Sequence, residues 1–254
     1  MLAESPRIRV LTYNIHKGFS AGNRRFVLHQ IKSLIRSVDS ELVFLQEIQG
    51  EHLHKSQRHH NWPDESQFEF LADEVWHHHA YGKNAIYEAG HHGNAILSKY
   101  PFVEWENIDV SYMRTASRSL LHGVIRISDS MPRLHVVCVH LGLLAMERHR
   151  QVKKLVQRIN ATVPEHEPMI IAGDFNDWQG WSDNYLRRQL GLYEVFKEQN
   201  GRCARTFPAW LPFLSVDRIY SRGLTIANSE CLRDTPWRGL SDHLPLLAEF
   251  QIRL

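Results

Sequence analysis

Short apolar runs follow one another along most of this chain, and many stop on a polar or ionisable residue. Leu42-Val43-Phe44-Leu45 ends in Gln46-Glu47, and Met169-Ile170-Ile171-Ala172 ends in Gly173-Asp174-Phe175-Asn176. Apolar runs of this length, bounded by turn residues, read as buried strands. Further strands are expected over Arg7–Asn14, Gly93–Ser98, Arg118–Ile127, Arg133–His140, Val216–Tyr220, after Leu224, and over Pro245–Ile252. Helices are expected over Arg24–Ser37, where Phe26, Val27, Ile31, Leu34 and Ile35 recur at helical spacing, and from a Ser66 cap to about Trp76. A long helix is expected over Leu143–Val163, with a basic face (Arg148, Arg150, Lys153, Lys154, Arg158) that is either solvated or in contact with phosphate, and residues 178–200 read as partly helical. The count is roughly ten strands against three or four helices. Many strands succeed each other without a helix between them, so a simple βαβ repeat is excluded. The order predicts an α/β (α+β) chain of antiparallel or mixed sheets flanked by helices.

Nothing rich in Pro, Gly or Ser divides the 254 residues, and the candidate polar groups come from both ends, so one domain over 1–254 is expected. With 43% hydrophobic residues the chain can bury a substantial core. A formal net charge of +2 excludes the large basic excess of a dedicated duplex-DNA binder. It leaves room for a phosphate-bearing substrate held by a local basic pocket. Cys138, Cys203 and Cys231 form no Cys-x-x-Cys spacing and read as reduced thiols. The opening Met1–Pro6 lacks a basic-then-apolar leader, and no apolar run reaches the roughly 18 residues of a membrane span, so a cytoplasmic monomer is expected. The histidines of 52–92 are mostly adjacent (His59-His60, His77-His78-His79, His91-His92), which makes poor chelates, so a histidine-built zinc site is not expected there.

Asn14, Glu47, His140, Asp174, Asn176, Asp217, Asp242 and His243 all fall at or near expected strand ends. Each has an ordinary reading by itself. Asn14 could close a turn, Glu47 could lie on the surface, and Asp174 with Asn176 could form an Asx turn. Asp217 could pair with Arg218, and His140 could be a satisfied core histidine. If the strands share a sheet edge, however, the eight converge. Hard oxygen ligands without thiols suit Mg²⁺ or Mn²⁺, and histidines beside carboxylates suit acid/base work or charge stabilisation on a phosphoryl group.

The order of these motifs resembles the endonuclease/exonuclease/phosphatase (DNase I-like) superfamily. The pieces are Thr12-Tyr13-Asn14-Ile15-His16, Leu45-Gln46-Glu47, Gly93-Asn94-Ala95-Ile96-Leu97-Ser98, Val139-His140-Leu141, Gly173-Asp174-Phe175-Asn176, Asp217-Arg218-Ile219 and Ser241-Asp242-His243. The resemblance implies a four-layer sandwich, two packed β-sheets flanked by helices. It implies Glu47 as principal Mg²⁺ ligand, with Mn²⁺ able to substitute, Asn14 beside it and Asp242 as a further ligand. Asp174 and Asn176 would position the attacking water and a phosphoryl oxygen. His243, its tautomer fixed by Asp217, would act as general base or stabilise the transition state. His140 would stabilise the pentacoordinate phosphorus or assist the leaving oxygen. Arg118 matches a position where an arginine reaches substrate phosphate, Asn94 would approach the scissile group, and His16 and Lys17 would line the rim. Abasic-site nucleases of the superfamily carry Tyr-x-Pro where this chain has His140-Leu141-Gly142. The DNase I-like glutamate partner of that histidine is replaced by His91-His92-Gly93.

One segment bears on substrate. Thr206-Phe207-Pro208-Ala209-Trp210-Leu211-Pro212-Phe213-Leu214 precedes the strand of Asp217 and is either a loop packed on its own core or an exposed lip for a lipid chain or a base. Trp210 would be its contact, with Trp178 and Trp181 joining it. The expected activity is Mg²⁺-dependent hydrolysis of a phosphate ester, on a phospholipid headgroup or small phosphorylated metabolite, with transient lipid contact and no stable membrane insertion. The alternative is a nuclease acting on DNA or RNA. A non-catalytic binding member is disfavoured, because nearly every catalytic position is filled.

Overall fold

The protein is described by a computed structural model covering residues 7–52, 61–87, 90–112 and 117–252. Its strands are β1 (Arg7–Asn14), β2 (Leu42–His52), β3 (His78–Tyr87), β4 (Gly90–Ser98), β5 (Phe102–Asp109) and β6 (Ser119–Ile125). They continue with β7 (Leu134–His140), β8 (Met169–Asp174), β9 (Tyr193–Glu194), β10 (Asp217–Arg222), β11 (Leu224–Cys231) and β12 (Leu246–Ile252). The helices are α1 (Leu28–Ser37), α2 (Gln67–Ala72), α3 (Ala145–Thr162), α4 (Trp181–Leu190) and α5 (Val195–Asn200).

Two six-stranded sheets result, in the orders β11-β12-β1-β2-β4-β3 and β5-β6-β7-β8-β10-β9. Among the described residues, pairing is parallel only between β1 and β2, bridged by α1, and between β7 and β8, bridged by α3. The other pairs are antiparallel, so both sheets are mixed as the strand order predicts.

Alternate side chains of each central strand face opposite ways, and here both faces are covered. Val10, Phe44, Ile96 and Phe250 of one sheet meet Val136, Cys138, Ile170 and Ile219 of the other in a common core. Their neighbours Leu11, Val43 and Leu45 turn outward onto Leu28, Ile31 and Ile35 of α1 and Leu71 of α2. On the far side Val137, Val139 and Ile171 pack against Val152, Leu155 and Ile159 of α3 and Leu186 of α4. The layers run helix, sheet, sheet, helix, the DNase I-like sandwich. No helix among the described residues is long and apolar enough to cross a membrane.

Several boundaries differ from expectation for local reasons. Helix α1 starts at Leu28 rather than Arg24, because Phe26 is drawn into an antiparallel bridge with Phe19. Ser66 does cap α2, in a capping box with Glu69, but the helix ends at Ala72. Glu74 then takes a left-handed φ of +59°, and the Trp76 indole returns inward to donate to the Ser40 carbonyl at 3.0 Å. Strands β3 and β5, absent from the sequence reading, are both sheet edges. Arg148 is not part of the exposed basic face of α3: it is buried, and its guanidinium donates to the Gly142 and Leu143 carbonyls. Residues 53–60, expected as loop, lie outside the described residues.

Gly173 holds β8 close to β7 just before the Asp174 side chain. Its φ is +143°, and a Cβ there would lie 2.0 Å from the Val139 carbonyl oxygen. Gly173→Ala should therefore cost about 3 kcal/mol or more in denaturant unfolding, since backbone rather than a mobile side chain must give way. Gly191→Ala, whose φ is +62° in open space, is the comparison, with an expected cost of about 1 kcal/mol.

Candidate active site

Topology alone gathers the polar strand ends. The parallel pairs bring the C-terminal ends of β1 and β2 and of β7 and β8 to one edge of the sandwich, where α/β sheets usually bind ligands. Asn14 ends β1 opposite Gln46, and His140 ends β7 opposite Asp174. The antiparallel β10 starts at the same level, with Asp217 opposite Asp174. Residues 241–243 reach this edge because β12 runs antiparallel beside β1, pairing Leu246 with Thr12.

Asp174 is the meeting point. Its Oδ2 accepts from Asn14 Nδ2 at 3.2 Å and lies 3.6 Å from His140 Nε2 and 3.9 Å from His243 Nε2. Its Oδ1 accepts from the Asn176 backbone N–H at 2.9 Å, so the Asx turn and the site coexist. Asn176, at φ +50°, donates its amide to the Leu141 carbonyl at 3.0 Å.

His243 Nδ1 lies 2.9 Å from Asp217 Oδ2, and this contact turns Nε2 toward Asp174. Asp217 is buried and faces His243, not Arg218, whose guanidinium instead reaches backbone carbonyls of Ser215, Asp217 and Asp177. Asp174, Asp217 and His243 present ligand-type atoms all within 4.8 Å of one another, a possible metal group, although the short bond between His243 and Asp217 commits one atom of each. Ser241 is a buttress: its hydroxyl donates to the Asn14 carbonyl at 2.7 Å and accepts from the His243 N–H at 3.3 Å. Thr206 Oγ1 likewise accepts from the Asp217 N–H at 3.4 Å.

A second group lies across β1. Glu47 sits in a bulge of β2, where the register with β4 slips between Leu45 and Ile48, and takes a left-handed φ of +54°. Strain of this kind gathers at functional positions. Its Oε2 accepts from Lys17 Nζ at 2.9 Å and lies 3.7 Å from His16 Nδ1. The same His16 nitrogen lies 3.5 Å from Asp242 Oδ1, and the His16 N–H donates to Asn14 Oδ1 at 3.1 Å. Asn14, Glu47 and Asp242 thus surround the His16-Lys17 turn. These two side chains occupy the centre of the group, not its rim.

The two groups differ in charge. Burial opposes ionisation of Glu47, but the positive charge facing it outweighs burial and lowers its pKa to about 2. His140 is the first of those facing groups, yet burial pushes its own pKa down to about 3, with the charges of Arg118, His243 and His92 adding to the effect. Lys17 is the group in direct contact with Glu47, at 2.9 Å. Burial also opposes the His243 cation, but Asp217 and Asp174 outweigh it and raise its pKa to about 10. Asp174 is pushed up to about 7, by burial first and by the repulsion of Asp217 against the attraction of His243. The cluster therefore offers a cationic imidazole, a neutral one and a carboxylate poised to take a proton.

Arg118 is half-buried near His140, and its Nη1 donates to the Ser117 carbonyl at 3.1 Å. Asn94 is buried beside the Glu47 bulge and donates to the Ser119 carbonyl at 3.1 Å, while its Oδ1 has no hydrogen-bond partner among the described residues. His140 has no glutamate at the place of His91-His92; the His92 charge there lowers its pKa. Trp210 lies outside the cluster, 66% exposed, and Trp178 is 47% exposed under the Arg148 guanidinium. Trp181 does not join them, because it stacks on Tyr185 within the helical layer at 4.8 Å. The sequence reading missed the exposed Leu143, Leu144 and Met146; three apolar residues immediately past His140 were the available signal.

The geometry accords with what known proteins share with this chain. The protein named YbhP, uncharacterized, from Escherichia coli strain K12 is 45% identical over 244 residues, covering 96% of each chain. Among solved structures, a humanized TDP2 from D. rerio superposes with a TM-score of 0.73 at 20% identity, covering 96% of this chain and 99% of that one. A mannosyl-6-phosphatase from Bacteroides thetaiotaomicron gives 0.72 at 17% identity, covering 96% and 99%. These structural likenesses establish the sandwich. The sequence profile of the Endonuclease/Exonuclease/phosphatase family matches residues 11–243, from the strand of Asn14 to His243 itself. A match that runs from the strand of Asn14 to His243, both gathered at Asp174, places this chain in the endonuclease/exonuclease/phosphatase family.

Proposed function

We propose that this protein is a divalent-metal-dependent phosphoesterase that hydrolyses a phosphate ester by attack of water. The observation that carries the reading is the convergence of Asn14, His140 and His243 on one oxygen of Asp174, a carboxylate whose pKa is raised to about 7. In this reading Asp174 accepts the proton of the attacking water as the water oxygen bonds to phosphorus and the P–O bond to the departing alcohol oxygen breaks. Asn176 aligns that water or a phosphoryl oxygen. His243, cationic and oriented by Asp217, stabilises the charge that gathers on the phosphoryl oxygens and does not act as the base. His140, held neutral, can donate from Nε2 without adding a net charge of its own, and Arg118 and Asn94 meet the phosphate from the neighbouring strands.

The donor set beside this cluster fits Mg²⁺ or Mn²⁺. Glu47, Asp242 and Asn14 offer hard oxygens, and the Cys138 thiol that accepts from neighbouring Gln46 is buried with its pKa raised to about 12. A bound divalent ion would supply charge neutralisation on the phosphate and on the departing oxygen. Lys17 now compensates the charge that would hold it. Lys17→Met should therefore tighten Mn²⁺ binding about tenfold by calorimetry, since about 1.4 kcal/mol of competing attraction is a modest share of a half-buried pair at 2.9 Å. Unchanged or weaker binding would remove Glu47 from the ligand set.

The test of function is a panel of esters offered with Mg²⁺ or Mn²⁺ after chelation: bis(p-nitrophenyl) phosphate, glycerophospholipids, sphingomyelin, sugar phosphates, plasmid DNA and single-stranded RNA. Turnover of at least one with metal is expected. Turnover of none sinks the proposal.

A further inference from the structure

The large apolar side chains that the described residues expose are unevenly placed. Eight of eleven lie on the catalytic edge. Leu143, Leu144 and Met146, each 59% exposed or more, follow His140, and Trp178 follows Asp174. Trp210, Leu211 and Phe213, also 59% exposed or more, precede Asp217, and Tyr112 follows the end of β5 at which Asp109 pairs with Ser119. The other three sit at the opposite ends of their strands: Val103 and Trp105 near the Phe102–Ile125 pair, and Tyr193 beside Ser221. Scattered exposed apolar groups need no explanation, but their concentration at one edge does.

The 206–214 lip is built to hold its tip outward. Phe207 and Leu214 bridge antiparallel, and the Phe213 N–H donates to the Phe207 carbonyl at 3.0 Å. The Ala209 N–H donates to the Asp242 carbonyl at 2.8 Å, tying the tip to the residue before His243. Behind the tip, Pro212 forms a wall of an open cavity of about 580 Å³ shared with the exposed Arg202, Arg205 and Arg233. Glu230 is the one carboxylate among its lining residues.

We propose that the catalytic edge docks on an anionic phospholipid bilayer, with the lip and residues 143–146 entering the acyl boundary and the arginine cavity taking an anionic headgroup. This rests on the phosphoesterase reading, because it carries a headgroup phosphate toward Asp174. Side-chain chemistry favours a bilayer over nucleic acid. Leu143, Leu144, Met146 and Leu211 are aliphatic and cannot stack on bases. Shallow apolar insertion joined to a few guanidinium groups is what peripheral lipid binding requires.

The test is co-sedimentation of the full chain with phosphatidylcholine vesicles, with and without phosphatidylglycerol. Wild type and Glu47→Gln, which removes the proposed metal ligand, should sediment alike with the anionic vesicles. Leu144→Ser/Leu211→Ser/Phe213→Ser should lower the vesicle partition coefficient about tenfold, as the loss of roughly 1.4 kcal/mol of insertion requires. Its substituted groups are exposed, so an unchanged melting curve is expected and keeps the comparison valid. Arg205→Gln/Arg233→Gln should abolish the preference for phosphatidylglycerol. No sedimentation by wild type, equal sedimentation by the triple variant, or a triple variant that loses single-stranded DNA and not vesicles overturns the proposal. Vesicle binding by a protein that hydrolyses no ester supports docking and counts against the phosphoesterase reading alone.

Discussion

His243→Ala should lower kcat/KM for a phosphodiester by about three orders of magnitude, the range expected when an oriented charge-stabilising group is removed. The expectation follows from three contacts: Nδ1 at 2.9 Å from Asp217, Nε2 at 3.9 Å from Asp174, and a pKa raised to about 10. The substitution also leaves the buried Asp217 carboxylate without its partner, so melting should shift down while remaining cooperative. Asp217→Asn separates the two effects. It retains the packing yet withdraws the charge that keeps His243 cationic, and activity should still fall about a hundredfold or more. Because the two residues act as one unit, His243→Ala/Asp217→Asn should be little worse than His243→Ala by itself. Additive losses would mean that Asp217 serves something other than His243.

Glu47→Gln should abolish measurable Mn²⁺ binding and lower metal-stimulated activity by about a hundredfold or more, since a neutral amide replaces a carboxylate with its pKa near 2. The side-chain volume is unchanged and the pair with Lys17 is half-buried, so stability should change by only about 1 kcal/mol. Glu47→Gly separates chemistry from backbone. Glycine accepts the φ of +54° without strain, so this variant should be at least as stable as Glu47→Gln and equally inactive. A Glu47→Gln protein that binds Mn²⁺ normally would move the ligand site elsewhere, with Asp174, Asp217 and His243 the next group to examine.

Much of this arrangement is legible in the sequence because of how the central strands are covered. Helices and the opposing sheet bury both faces of β2, β7 and β8, so these strands read as unbroken apolar runs and their polar ends stand out. Glu47, His140 and Asp174 are visible for that reason, and Asn14 and His243 because they bound the apolar runs of β1 and β12. Edge strands carry no such signal. β5 exposes most of its length, and β3 is paired on one side only, so neither is distinguishable from loop. Arg148 reads as part of a solvated face because helical spacing says nothing of carbonyls in a loop before the helix, and Gly142 and Leu143 are what it satisfies. The central position of Lys17 is equally hidden: it depends on left-handed backbone at His16, Lys17 and Glu47, three residues that adopt it only under tertiary constraint. The exposed Leu143, Leu144 and Met146 look like the first turn of an amphipathic helix, but α3 starts only at Ala145, so Leu143 and Leu144 precede it, and Met146 lies exposed in its first turn.

The central claim is that Asp174 and the residues around it hydrolyse phosphate esters with the help of a metal held nearby. The most direct measurement is the initial rate of bis(p-nitrophenyl) phosphate hydrolysis by chelator-treated wild type and Asp174→Asn as Mg²⁺ is added back. The account predicts a saturable rise with Mg²⁺ in wild type and a rate at least about a hundredfold lower in Asp174→Asn at every concentration. Hydrolysis indifferent to chelation, or an Asp174→Asn protein as fast as wild type, would contradict it.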